Sequence, residues 1–434
     1  MDKVNKNLRI AGGLKLYTDI IVSIFLWGAI IILDNSQYSL RCLGVLLIFI
    51  SLYQLFKVRF STELLILFGT IAYINISVAL GDLLQIGQVL GINTLDWQMA
   101  VRISEYNALG AKSILLLMSI LNLCINRKYL REISPDACTP IKKKENNYIF
   151  FVGLFILLIF WLFGYETSIG STYHSNTRTI YEYSIIIFIV VWFYSGNSKI
   201  KKYLLYSYAT IYILQALIRG DRSSAFPMII VLFIIQNYKI KIKTLIILAI
   251  CGIFASNIIS VYRVAFSISE LKSLYLSKYG MASFLSDTVS QSYYTAITIL
   301  NVHDIIPSTM GYFINFLGGI IMGGGFNNAD VGAISYNYLL NKGGGFYFSW
   351  FYFWFGIFGV VIGSFFLGYL IRLFFRSRNN YIKLYKISLI AMSFRWYLYT
   401  PFVLFRSVLF IFTILLLICY MVERLTIKKY MNHS

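Results

Sequence analysis

The chain has 434 residues, of which 58% are hydrophobic, 18% aromatic and only 13% charged, with a mean hydropathy of +0.71. A soluble domain carries about 25% charged residues, so this composition excludes an ordinary soluble globular protein. The formal charge of +20 would suggest a nucleic-acid surface in a soluble chain, but its distribution argues otherwise.

A bilayer core is about 30 Å thick, so a spanning helix needs about 20 mostly apolar residues. In chain order, apolar segments lie near 16–33, 41–56, 64–90, 109–125, 148–165, 180–196, 203–218, 224–238, 244–262, 346–371, 386–403 and 405–422. The segment 180–196 contains Glu182, and 224–238 is short and contains Pro227. The lengths predict helices, because barrel strands are about 10 residues long and alternate in polarity. The predicted class is all-α: a polytopic integral membrane helical bundle of about twelve transmembrane helices with one long periplasmic loop. Three parts are expected: an N-terminal transmembrane bundle over 1–262, the loop over 263–345, and C-terminal transmembrane helices with a cytoplasmic tail over 346–434.

With the N-terminus in the cytoplasm, 26 of the 38 Lys and Arg residues fall on cytoplasmic segments. The positive-inside rule therefore accounts for nearly all the net charge without a nucleic-acid groove. The first apolar segment lacks a small-residue cleavage site and reads as an anchor. The five cysteines, Cys42, Cys124, Cys138, Cys251 and Cys419, form no CxxC pair and read as apolar fillers.

The long loop has its own organisation. Over 281–300 the apolar positions Met281, Phe284, Leu285, Val289, Tyr293, Ile297 and Leu300 follow helical spacing, predicting an amphipathic helix on the membrane or the bundle. The segment 311–322 is apolar but too short to span, which predicts a re-entrant or interfacial piece. Two glycine triplets, Gly323 to Gly325 and Gly343 to Gly345, bracket a polar stretch. They read as hinges, or as backbone N–H groups exposed to a phosphate or sugar.

Cations are scarce on the outer side. Arg219, Asp221 and Arg222 sit in LIRGDRSSAFP at the boundary between two spans. Arg178 lies in the small outer loop with His174, and Arg263 opens the long loop. Arg395 and Arg406 flank the apolar turn in SFRWYLYTPFVLFRS. An arginine in a span is costly and faces a polar cavity. Its planar donors suit a diphosphate, although Asp221 could simply neutralise a neighbour. His303, beside Asp304, is the candidate general base. Tyr293, Tyr294, Tyr336, Tyr338 and Tyr347 could stack on sugars or serve as interfacial belt residues. HExxH, GxxxxGK[ST], GxSxG and DxD are all missing, so neither a metal nor any other cofactor is expected.

The whole chain resembles the bacterial O-antigen polymerases, the oligosaccharide repeat-unit polymerases called Wzy. The resemblance rests on the layout and on three segments: IRGDRSSAFPMII, HDIIPSTMGYFINFLGGIIMGGG and GGGFYFSWFYFWFGIFGVVIG. It departs at Trp350, a position that is often acidic in the family, so no catalytic carboxylate is placed there. The resemblance implies a metal-independent glycosyltransferase of lipopolysaccharide biosynthesis, in the inner membrane with its active face periplasmic. It would transfer the growing glycan from undecaprenyl diphosphate to a new repeat unit on the same lipid. The implied partners are that lipid-linked oligosaccharide, membrane lipids and a chain-length regulator. Arg219 and Arg222 would stabilise the leaving diphosphate, with Arg263 and Arg406 as further candidates. Two other readings stay open: a flippase of lipid-linked oligosaccharide, which should show two similar halves, and an O-antigen ligase, which shares layout and donor.

Overall fold

The computed structural model describes residues 2–86, 104–133, 141–167, 175–236, 241–262, 268–279, 287–341 and 343–431. Their helices are α1 (Asp2–Ile32), α2 (Gln37–Val58), α3 (Thr62–Val78, continued by a π turn at Ala79–Leu83), α4 (Ser104–Cys124), α5 (Arg127–Ile133) and α6 (Asn147–Phe163). A short hairpin of β1 (Tyr165–Thr167) and β2 (Ser175–Thr177) leads to α7 (Thr179–Phe193), α8 (Lys199–Ile218), α9 (Arg222–Ile235), α10 (Ile242–Tyr262) and α11 (Ile268–Tyr279). There follow α12 (Asp287–Ile305), α13 (Met310–Met322), α14 (Val331–Tyr336), α15 (Tyr347–Arg376), α16 (Asn380–Ala391) and α17 (Ser393–Leu398). A second π segment, Val403–Ile411, runs into α18 (Phe412–Met431). Small polar residues start the helices: Ser36, Ser61, Asn146, Asp221, Asp330 and Asn379 each accept a backbone N–H of the first turn, meeting donors that have no partner within the helix.

The described parts of the predicted apolar segments fall mainly on helix, with 386–403 broken after Ala391 and again after Leu398, and the described residues are all-α apart from the small hairpin. Among the described residues six helices are long and apolar enough to cross a membrane by length and composition, and five shorter apolar helices accompany them. The outer faces explain the composition. Phe155, Ile247, Phe358 and Leu425 are all exposed, and similar side chains ring the bundle. Such a belt suits hydrocarbon and not water.

At one end, here the basic end, lysines clasp carboxylates. Lys57 reaches Asp19 at 3.4 Å, Lys144 reaches Glu423 at 2.6 Å, Lys201 reaches Glu145 at 2.9 Å and Lys386 reaches Glu63 at 2.5 Å. The opposite end holds the hairpin, the start of α4 and the glycine-rich segments.

Two expectations need correction there. The segment 346–371 is not one continuous span. Gly356 has φ 59° and ψ −146°, and the chain reverses at it. The Tyr347 hydroxyl donates to the Gly363 carbonyl at 2.9 Å, whereas a straight helix would separate these residues by about 24 Å. Gly359 and Gly363 also lie directly against Phe351. So 347–355 is a short arm folded back on 357–376. The helix α12 does not lie on a surface either. Val289, Tyr293, Ile297 and Leu300 are buried, but so are Ser290, Ser292, Thr295 and Thr298 on other faces. It packs among α3, α4 and α15. Its polar positions are buried because they bind neighbouring polar groups, described next; residues 281–286 lie outside the described residues.

Candidate functional site

Several of the arginines singled out in the sequence gather around the hairpin and the first turn of α7. The Arg219 guanidinium lies over the Tyr165 ring, 4.7 Å from its centroid. The Tyr165 hydroxyl donates to Asp221 at 3.3 Å, as does Thr177 at 2.8 Å. Asp221 also caps α9, accepting from the Ser224 N–H at 3.2 Å and the Ser223 hydroxyl at 2.6 Å. Burial pushes its carboxyl up, but those two serines, the Arg395 guanidinium and Thr177 together hold it below the usual carboxylate range. Asp221 is therefore a saturated structural acceptor that stays ionised.

Arg395 pairs with Glu182 of α7 through one nitrogen, Nη2. Its Nε and Nη1 are buried and have no hydrogen-bond partner. A guanidinium has five N–H donors in a rigid fork, and leaving them unmet in a desolvated place is costly. Arg222 donates to Thr288 at the start of α12.

One helical turn beyond each of these contacts lies the same glycine. Residues four apart on a helix are neighbours: Thr288 stands above Ser292, and Arg395 above Tyr399. Gly344 fits between Ser292 and Tyr399, and a β-carbon on it would come within 3.2 Å of the Tyr399 ring and 3.3 Å of the Ser292 hydroxyl. Its φ of 86° belongs to the left-handed region, where a side chain is strained. Gly344 therefore borders an open cleft of about 640 Å³ and touches two residues, Ser292 and Tyr399, that each lie one helical turn from a contact of the arginine cluster. That cleft is lined by Asp330, Gly332, Ala333, Tyr336, Asn337, Asn341, Gly343 and Gly344.

The cleft is pinned to α12. Thr295 donates to the Gly343 carbonyl at 3.0 Å, and Asn341 donates to Thr298 at 3.4 Å and to Ser335 at 2.9 Å. The Gly343 N–H returns to Asn341 Oδ1 at 3.0 Å. Asp330 caps α14 through one oxygen, Oδ1, which accepts from Gly332 at 2.9 Å and Ala333 at 3.3 Å. Burial pushes its carboxyl above the usual range, against the pull of the Ala333 and Gly332 N–H groups. A carboxylate, side-chain amides, the half-exposed Tyr336 ring and glycine backbone form a lining suited to a hydroxyl-rich ligand.

The other predicted residues are engaged in other ways. Arg406 donates to Tyr183 at 3.0 Å and, through Nη1, to the carbonyls of Gly319, Ile320 and Ile321 at 3.0, 2.8 and 3.0 Å. It thus caps the C-terminal end of α13, where carbonyls lack helical partners. Arg178 pairs with Glu166 in the open. Tyr347 is fully buried and bound to Gly363, so it presents no face to a sugar; Tyr293 is likewise in the core, while Tyr336 and Tyr338 stay half exposed. Arg263 and His174 lie outside the described residues.

His303 does not join Arg219 and Arg222. Its Nδ1 donates to the Phe353 carbonyl at 2.9 Å. Thr288, the Arg222 partner, is 15 positions away on the same helix, or about 22 Å. A general base must come within hydrogen-bond reach of the proton it takes, so these residues cannot act on one reacting centre in this arrangement. The carboxylate in the cleft that Gly344 borders is Asp330. The sequence offered one signal for it, an aspartate between glycine-rich turns, and that signal reads equally as a helix cap.

No family model, curated protein or solved structure matches the chain.

Proposed function

We propose that this chain is a membrane glycosyltransferase that polymerises lipid-linked repeat units, of the O-antigen polymerase kind. The observation that carries the reading is the place of Gly344, which borders the cleft and touches Ser292 and Tyr399. A cleft suited to sugar thus lies near residues one helical turn from Arg222's anchor and from Arg395, whose buried Nε and Nη1 lack acceptors. Diphosphate oxygens are the acceptors such a fork is shaped for.

In this reading the donor glycan is held by its lipid diphosphate at Arg395, Arg222 and Arg219, and the acceptor repeat unit lies in the Asp330 cleft. The acceptor hydroxyl attacks the anomeric carbon. The bond from that carbon to the phosphate oxygen breaks, and Asp330 Oδ2 takes the hydroxyl proton. The arginines stabilise the charge that develops on the leaving diphosphate, the kind of electrostatic effect that dominates many such reactions. The lipid is undecaprenyl diphosphate, the membrane is the bacterial inner membrane, and the reacting end is periplasmic. Twelve crossings with both termini cytoplasmic complete the topology. The basic end, with its lysine clasps, is the cytoplasmic one.

Purified protein given lipid-linked repeat units in detergent, without nucleotide sugar, should lengthen the glycan in the presence of EDTA. Loss of activity on chelation, restored by a divalent cation, would show the metal-free mechanism to be wrong. An alkaline phosphatase fusion at Asn328 should be active and one at Lys143 inactive; the reverse pattern would put the cleft on the wrong side of the membrane.

A further inference from the structure

Away from the arginines, the core holds a carboxylate with no cation. Asp82 lies in the π turn that ends α3 and is fully buried. π turns inside helices are rare and concentrate at functional positions. One oxygen, Oδ1, accepts from the Ser290 hydroxyl of α12 at 2.8 Å. The other, Oδ2, is buried with no hydrogen-bond partner.

The neighbour across the helix interface has the matching defect. Asn107 of α4 is fully buried, and its Nδ2 donates to the Asp82 backbone carbonyl at 3.4 Å. That contact brings the Asn107 amide against the Asp82 backbone. The Asn107 Oδ1 is also buried without a partner. The surroundings offer no compensation. Tyr293 of α12, the titratable group facing Asp82, gives its hydroxyl to the Asn107 carbonyl at 2.9 Å. From α2, Gly44 packs on Leu83 and Leu84. Among the described residues no Lys, Arg or His is paired with Asp82.

Two neighbouring acceptors without a donor, one of them a carboxylate in a membrane-spanning helix, lack a positive charge. An ionised carboxylate in such a place is expensive, and ionisable residues inside spans mark ion or proton sites. We propose that Asp82 and Asn107 form a binding site for a small monovalent cation, a proton or Na⁺. A proton on Asp82 Oδ2, or Na⁺ held between the two residues, would supply the missing positive charge beside these unmet oxygens. The site also touches the arginine cluster mechanically. Ser290, which holds Asp82, is two residues from Thr288, which holds Arg222, so occupancy biases the position of the start of α12. The site stands on its own geometry, whatever the cleft binds.

The test is thermal unfolding of the full chain in detergent, followed by tryptophan fluorescence from pH 5 to 9 in choline chloride, with and without NaCl. Bound cation stabilises the folded state by mass action. The wild-type melting temperature should fall as pH rises, by about 2 °C per unit while one proton is being lost. Recovery at high pH on adding Na⁺ identifies Na⁺ as an occupant, and no recovery identifies the proton alone. Asp82→Asn supplies an amide donor in place of the proton, so it should melt like wild type at low pH and lose this part of the slope and any Na⁺ response. Ser290→Ala keeps Asp82 but removes the donor to its other oxygen, so its response should persist and move to higher pH. Equal slopes and equal Na⁺ responses in all three proteins overturn the proposal, as does an Asp82→Asn protein that melts far below wild type at pH 5 while Ser290→Ala matches wild type throughout.

Discussion

The two ends of the bundle use positive charge differently. At the basic end the clasps are lysines, each closed by a carboxylate. The Lys57 ammonium also donates to the Asn122 carbonyl at 2.9 Å, and Lys144 to the Tyr381 hydroxyl at 2.9 Å. At the far end the cations are arginines. Arg219 meets an aromatic face, Arg222 a hydroxyl, and Arg395 keeps two buried nitrogens, Nε and Nη1, without acceptors. A lysine ammonium is a point charge that one carboxylate can answer, whereas an arginine fork left partly unanswered is a recognition element. The lesson is that lysines at one end are answered by carboxylates, whereas Arg395 at the other, although paired with Glu182, keeps buried donors unmet.

The largest effect should come from breaking a clasp. Lys57→Ala leaves buried Asp19 with the Tyr53 hydroxyl and the Arg127 N–H but without its ammonium, which costs up to about 3–5 kcal/mol. Melting and membrane yield should both drop sharply, with glycan transfer per folded molecule unchanged. A comparable loss of specific activity in folded Lys57→Ala would erase the contrast between the two ends.

Next comes the recognition end. Arg395→Lys keeps the charge and loses the fork, so transfer should fall by roughly 10²–10³-fold, as for other lost transition-state donors, with protein level maintained. If Arg395 served only to pair Glu182, lysine would substitute well, and Glu182→Gln would be as damaging as Arg395→Lys. Full activity in the lysine variant sinks the diphosphate assignment for this residue.

Smaller still is the glycine wall. Gly344→Ala forces a side chain into the left-handed region and against Tyr399 and Ser292, at a cost of about 1–2 kcal/mol. Binding of a soluble repeat-unit oligosaccharide, read by calorimetry, should weaken more than the melting temperature shifts. Unaltered sugar binding would separate the cleft from the arginine cluster.

The smallest effect concerns Lys143 at the basic end, which stacks over Trp192. Burial, and then Lys202, lowers its ammonium from the usual lysine range to about 8. Its folded value lies below its unfolded one, so its contribution to stability is present above about 10.5 and is lost as pH falls through about 8. Lys143→Met should therefore melt slightly above wild type at neutral pH, and the difference should shrink as pH rises from 8 toward 10.5. A difference that grows with pH would contradict this.

Helix positions were legible because hydropathy and capping residues both mark them. What escaped the sequence is three-dimensional. Nothing in the apolar run 346–371 distinguishes a span from a folded-back arm, since Phe, Trp and Gly serve both. The spacing over 281–300 identified a helix, but burial of Ser290, Ser292, Thr295 and Thr298 depends on polar partners from Asp82, Asn341 and Gly343, each remote in the chain. For the site, the sequence singled out Arg219, Arg222 and Arg395, because cations are rare on that side. It also offered Arg406, which closes a helix end, and His303, whose separation from Thr288 becomes clear only once both are known to lie on one helix. Asp330 was passed over because its nearness to the arginines runs through Ser292, Gly344 and Tyr399, contacts that no linear spacing encodes.

The reversal at Gly356 bears on how the chain is made. An arm over 347–355 is too short to be retained by a bilayer alone, and its packing surface is the arm that leaves the ribosome after it. Gly344 in turn acquires its second neighbour only when Tyr399 has been synthesised. During biosynthesis the cleft is thus completed among the last parts of the molecule, after most of the hydrophobic helices have already entered the membrane. A nascent chain arrested before that point would be inserted and yet hold no finished pocket.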